Sequence, residues 1–286
     1  MKIGIGLPNT MPGIPGTTLV EWARRSEERG FAGLATIDRI AYPNHDSLTA
    51  LAAAAAVTSR IGLYTNILLG PVYPAALLAK SAATVDQISG GRLTLGLAAG
   101  GRPDDFEVMG VDFTRRGREF DRTLDRIHRI WSGDPEHSPA PVNARAVPVI
   151  IGGTGDAAFR RLVSWGAGGA IGGGGPEQVG EYAARVRTAW REAGREGEPR
   201  ITALAYFSLG DDAEERSLAY LRHYYAFLGA YADGIATNAL RTPEAIRARV
   251  EAFEAVGVTE LYLNPTVPSL DQVERLADVV SPASPG

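Results

Sequence analysis

The sequence predicts an α/β protein, a (β/α)8 TIM barrel, on three observations. Short apolar runs alternate with amphipathic helical patterns along the whole of the 286 residues. Eight strand–helix units can be traced, the number that closes a parallel ring. The other arrangement of such units, an open doubly wound sheet, calls for Gly-x-Gly-x-x-Gly after the first strand. Here Gly4 and Gly6 lie inside that strand and Pro8 follows it.

The first strand is Lys2–Leu7. The helix after it, Thr18–Arg29, puts Leu19, Trp22, Ala23 and Ser26 on one face and stops at Gly30. Gly33–Ile37 is the second strand and Ser47–Thr58 the second helix, with Asp46 or Ser47 as N-cap. The third unit is Ile61–Leu68 and Ala75–Ile88, ended by Gly90-Gly91. Strand four is Leu93–Ala98, and its helix, Arg115–Trp131, buries Phe120, Leu124, Ile127 and Trp131. An irregular stretch, Pro139–Pro148, leads to strand five, Val149–Gly152, and a helix over Asp156–Trp165. Strand six is Gly168–Ile171, with a helix over Glu177–Ala193. Strand seven is Ile201–Leu209, followed by helical segments Ala213–Ala232 and Pro243–Val256. Strand eight, Glu260–Asn264, and a helix over Leu270–Val280 complete the ring, and Ser281–Gly286 is expected to fray. These units make one domain over 1–286 with a helical insertion at about 211–242, after strand seven.

Composition removes several classes of function. The net charge of −4 gives no electrostatic footprint for nucleic acid or an anionic membrane. With no cysteine there is no disulfide, thiolate nucleophile or cysteine-ligated cluster. The four histidines, His45, His128, His137 and His223, are far apart in sequence, and no metal site is expected. The longest apolar run, Ala50–Val57, is far below the ~20 residues of a membrane span. Pro8 cuts the N-terminal apolar run short of a signal peptide, so a cytoplasmic protein is expected. The only lysines, Lys2 and Lys80, end no strand, which excludes a Schiff-base lyase.

In such a barrel, chemistry sits where strands end and lead into βα loops. Two glycine loops there open helices: Gly152-Gly153-Thr154-Gly155 and Gly172-Gly173-Gly174-Gly175, the second followed by Pro176. Bare main-chain N–H groups at a helix start make a phosphate cradle, although glycine also simply permits tight turns. Asp38 and Arg39 end strand two, either as a local ion pair or pointing into the mouth. Asn66 ends an otherwise apolar strand and wants a polar partner. His45 lies beside a helix cap, as a cap neighbour or as a neutral imidazole able to move a proton. His128 and His223 read as helix-surface residues and His137 as part of a loop on the opposite face.

Further pieces carry a resemblance. Ala82-Ala83-Thr84-Val85-Asp86 and Ser89-Gly90-Gly91-Arg92-Leu93-Thr94-Leu95-Gly96 are the most specific. With Thr58–Leu63, Arg116–Asp121 and Pro148–Gly153 they span most of the chain. The chain resembles the luciferase-like flavin-dependent oxidoreductases. The resemblance implies a barrel, often dimeric, holding reduced FMN or the deazaflavin F420 at its C-terminal mouth. It implies a cis peptide at Asn66–Ile67 behind the cofactor ring. It also places the cofactor phosphate on Gly152, Gly153, Thr154 and the Gly172–Gly175 loop. Where many relatives have a histidine after the strand-two aspartate, this chain has Arg39. That side chain cannot lose its proton, which leaves it the role of anion clamp or flavin-carbonyl partner. His45 is then the candidate for the vacant acid/base role. The family's aromatic after strand four is replaced by Gly100-Gly101-Arg102, which implies a roomier cofactor pocket or a mobile loop.

The expected function is an FMN-dependent monooxygenase acting on a small organic substrate. A homodimer and a separate flavin reductase are expected partners. The alternative is F420-dependent hydride transfer, with Arg102, Arg115 and Arg116 as a basic rim for the acidic cofactor tail. A non-catalytic flavin-binding protein is the further alternative. In either enzyme the insertion would cover the site, with Tyr220, Tyr224, Tyr225, Phe227 and Tyr231 as apolar contacts.

Overall fold

A computed structural model of the chain describes residues 1–133, 139–142, 146–211 and 213–280. His137, Ser281–Gly286 and part of Pro139–Pro148 lie outside these described residues.

Eight parallel strands close into a ring: β1 (Lys2–Gly6), β2 (Gly33–Thr36), β3, β4 (Leu93–Ala98), β5 (Val149–Gly152), β6 (Gly168–Ile171), β7 (Arg200–Phe207) and β8 (Glu260–Pro265). Strand β3 runs in two segments, Gly62–Thr65 and Leu68–Leu69. The first pairs with β2 and with the start of β4, and the second pairs with the end of β4. Closure between β1 and β8 pairs Lys2 with Glu260 and Ile5 with Leu263.

The helices ring this barrel: α1 (Gly16–Glu28), α2 (Ser47–Val57), α3 (Ala75–Ser89), α4 (Pro103–Val108), α5 (Arg116–Gly133), α6 (Asp156–Trp165) and α7 (Pro176–Glu192). After β7 come α8 (Ala213–Tyr224), α9 (Tyr231–Thr237) and α10 (Pro243–Ala255), and α11 (Asp271–Val280) ends the ring. Local chemistry fixes several starts and stops. Asp46 caps α2 by accepting from the Thr49 N–H at 2.7 Å. Gly90 ends α3 at φ +67°.

Alternate strand residues face inward or outward. Ile5, Leu34, Leu63 and Leu95 go outward into one continuous core with Leu19, Trp22, Phe120, Trp190 and Phe253 of the helices. Tyr64 and Tyr262 stack inside the ring, with centroids 4.9 Å apart. Gly4 and Gly33 make room for the Tyr262 ring. At the N-terminal end, Arg200 forks onto Glu260 at 2.6 and 2.8 Å and reaches Thr94 at 2.9 Å. Polar cross-links thus bridge the strands at that end.

Three elements differ from the expectation. Strand three is interrupted: Asn66 N donates to the Thr36 carbonyl and Leu69 N to the Asp38 carboxylate. The strand-four loop carries the extra short helix α4, started by Pro103 with Asp104 and Asp105 in its first turn. The single helical segment Ala213–Ala232 divides into α8, a 3-10 turn at Ala226–Leu228 and α9, with Gly229 at φ +57° between them.

Candidate active site

Asp38, two residues after β2, is buried and accepts from the Leu69 N–H at 3.0 Å and the Tyr73 hydroxyl at 2.9 Å. Burial pushes its carboxyl up to about 6, against the pull of these two donors. Its neighbour Arg39 does not face the mouth as a free cation. Its Nε is shared between the two carboxylate oxygens of fully buried Asp105, at 3.1 and 2.9 Å, and its NH2 reaches Asp104 at 2.6 Å. Asp105 also takes the Ile40 and Ala41 N–H groups, at 2.8 and 2.7 Å. This buried cluster ties the strand-two loop to α4.

The peptide bond between Asn66 and Ile67 is cis. The Ile67 side chain packs against the ring's inner residues and closes over Gly152, where a Cβ would collide with it. That contact is why position 152 has no side chain. The Asn66 Nδ2 is buried without a hydrogen-bond partner, and so is Oδ1 of Asn264 at the end of β8. Two strand ends therefore present an unmatched amide donor and an unmatched amide acceptor.

His45 lies in the loop between β2 and α2. Its Nε2–H donates to the Ile14 carbonyl at 2.9 Å, and Asn9 Nδ2 holds its own carbonyl at 3.2 Å. The Nδ1 then carries the free lone pair of the neutral ring. His128 bonds back to the Leu124 carbonyl and packs on Trp131. His223 is exposed and meets the Tyr42 hydroxyl at 2.8 Å.

The two glycine loops start α6 and α7. Gly153, Gly173 and Gly174 sit at φ +122°, +131° and +118°, backbone conformations that side chains disfavour. The Thr154 carbonyl accepts from Arg185 at 3.1 Å. Gly172 to Gly175 form part of the wall of a cavity of about 690 Å³, which is also lined by Tyr206 of β7 and by Tyr225, Leu228 and Tyr231 of the insertion. Gly152, Gly153, Thr154, His45 and Asn66 do not line this space.

The insertion is latched to the mouth by Arg102. Its NH1 donates to the Tyr224 carbonyl at 2.9 Å, and its guanidinium lies 4.0 Å from the Phe227 ring centre and 4.6 Å from that of Tyr224. Gly100, at φ +81° and against Phe106, turns the chain so that Arg102 can do this. Arg116 stacks on Phe113 at 4.0 Å. Tyr206 and Tyr225 share a hydrogen bond of 2.7 Å, as do Tyr220 and Thr10. Burial raises the hydroxyls of Tyr206, Tyr220, Tyr224 and Tyr225, so these rings stay neutral walls.

Sequence reasoning missed Tyr73, Asp105 as the partner of Arg39, and Arg249 of α10, which also lines the cavity. The first two depend on loops meeting across the mouth. Arg249 sits mid-helix with nothing local to mark it.

A model of the luciferase-like monooxygenase family matches residues 1–248. An uncharacterized protein of Mycobacterium tuberculosis is 28% identical over 212 residues, 63% of this chain and 73% of that one. An F420-dependent secondary alcohol dehydrogenase, solved with an F420–acetone adduct, superposes with a TM-score of 0.80 at 17% identity, covering 98% of each chain. The oxygenating constituent of 3,6-diketocamphane monooxygenase from Pseudomonas putida, solved with FMN, gives 0.74 at 15% identity, covering 99% of this chain and 98% of that one.

Proposed function

The chain belongs to the luciferase-like monooxygenase family, and on that footing we propose that it uses reduced FMN to oxygenate a small organic substrate at the barrel mouth. The observation that carries this reading is the cavity of about 690 Å³, with bare main chain on one wall and the tyrosines of the insertion on another. The residues present fit a flavin. The unmatched donor of Asn66 and acceptor of Asn264 lie outside that cavity, at strand ends, and the carbonyl and N–H groups of a flavin ring would suit either of them. Gly172–Gly175, on the cavity wall, offer main-chain donors for its phosphate, whereas the Gly153 N–H is taken by the Ala170 carbonyl at 3.4 Å. When bound, the reduced flavin supplies the electrons for oxygen chemistry.

The protein's own share is positioning. Ile67 lies where the ring would be backed, and Asp38 fixes the strand behind it through Leu69 N–H. The insertion, held by Arg102, forms one wall of the cavity through Tyr225, Leu228 and Tyr231. His45 lies outside this cavity, with Nε2–H held by the Ile14 carbonyl, and no proton-transfer step is assigned to it. A separate reductase would deliver the reduced flavin.

Fluorescence titration of the purified protein with FMN and with F420 tests the cofactor. Saturable binding of FMN and not of F420 is expected, and the reverse result moves the reaction to hydride transfer. Binding of neither removes the reading. Two variants test the phosphate loops without harming the fold. Gly155 and Gly175 are the N-caps of α6 and α7, in extended backbone with open space around them. Aspartate is a good N-cap, so Gly155→Asp and Gly175→Asp keep or raise thermal stability while placing negative charge at each cradle. Loss of FMN binding is expected in both. A variant that binds FMN normally shows that its loop does not hold the phosphate.

A further inference from the structure

Burial works against the charge of three arginines, Arg92, Arg241 and Arg249. Two of them are compensated by main-chain acceptors. Arg92 donates to the carbonyls of Ala55, Thr58, Ile61 and Ser89. Arg241 donates to those of Ala236, Thr237 and Ala239. Arg249 has no such acceptor among the described residues. Its one partner there is the Phe253 ring, with the guanidinium carbon 5.2 Å from the ring centre. A half-buried cation left without an acceptor is costly unless something else supplies the negative oxygen.

The surroundings of Arg249 say what would supply it. The side chain lines the same cavity as Gly172–Gly175, Tyr206 and Tyr225. It carries the only charge among the described residues lining that space, and no aspartate or glutamate is among them. The other polar groups of the lining are main-chain groups, amides and tyrosine hydroxyls. The wall therefore combines one unneutralised cation, a run of glycines without side chains in the way, and flat aromatic surface.

We propose that Arg249 anchors an oxyanion, a phosphate group carried by the flavin-type cofactor, in the cavity behind Gly172–Gly175. This rests on the cofactor reading above and adds the charge that the glycine loops lack. A guanidinium presents paired N–H donors that match two phosphate oxygens. The same chemistry would accept an anionic group of the substrate, and the test separates the two sources.

Wild type and Arg249→Gln are titrated with FMN and riboflavin, and with F420 and its phosphate-free deazaflavin chromophore. Their melting temperatures are followed with inorganic pyrophosphate. Losing a hydrogen-bonded charge should weaken the phosphate-bearing cofactor by about ten- to a hundredfold, with its phosphate-free form unaffected. Arg249→Lys should recover part of the loss. Unchanged affinity, or equal weakening of both forms, overturns the proposal and leaves the cofactor reading standing. If the wild type binds none of the four chromophores, the cofactor reading falls and pyrophosphate decides. Stabilisation of wild type but not of Arg249→Gln then assigns the anion to the substrate. Equal responses overturn the site.

Discussion

Asp38, two residues after β2, has its carboxylate turned away from water, onto Leu69 N–H and the Tyr73 hydroxyl. Its carboxyl sits at about 6 because burial outweighs those two bonds. The sign of the consequence is fixed. Between the ordinary value near 3.8 and about 6, the folded chain holds a proton that the unfolded chain has released. Stability from this group therefore falls as pH rises through that window. The loss is at most about 3 kcal/mol. Asp38→Asn has no such titration. Urea unfolding at pH 4, 5, 6 and 7 should show wild type losing stability relative to the variant as pH rises, and parallel curves would count against it. The sequence marked Asp38 because it ends a strand. It did not mark Tyr73, whose meeting with Asp38 depends on the chain doubling back after β3.

Among the elements, the insertion between β7 and α10 meets the mouth through Tyr220 on Thr10, Tyr225 on Tyr206 and the latch of Arg102. Arg102 holds it from outside through the Tyr224 carbonyl and the Phe227 and Tyr224 rings. Removing one charged hydrogen bond and its ring contacts is worth about 1–2 kcal/mol locally. Arg102→Ala should therefore raise the rate of limited proteolysis within α8 and α9 by roughly 5- to 30-fold, with cleavage elsewhere unchanged. Equal protection in the variant would show that the tyrosine packing alone holds the insertion. Elements with an uninterrupted period were legible in the sequence. The bounds of β4, β5, α6 and β6 agree with expectation to the residue. Those that answer to neighbours were not. The third strand breaks where its backbone turns to Thr36 and Asp38, and the insertion breaks at Gly229. Helix α4 did carry a local signal, Pro103 with two acidic residues after it.

For the whole molecule, ring closure makes each strand depend on both neighbours. The ring has no free edge, since β3 pairs with β4 and β1 with β8. One outer core cluster runs through residues of α1, α2, α3, α5, α6, α7, α10 and α11. Such a body has no seam along which half could open while the rest stays packed, so 286 residues should unfold in one cooperative step. The four tryptophans sit on α1, α5, α6 and α7 and report on much of the ring, whereas four of the ten tyrosines, Tyr220, Tyr224, Tyr225 and Tyr231, lie in the insertion. Urea curves followed by tryptophan fluorescence, far-ultraviolet circular dichroism and the near-ultraviolet tyrosine band should coincide in the wild type. In Arg102→Ala the part of the tyrosine band that comes from the insertion should change first, giving that band two phases, while the other two remain together. A wild-type curve in which fluorescence and far-ultraviolet signals separate would mean the ring is two units, and the single-domain reading would give way.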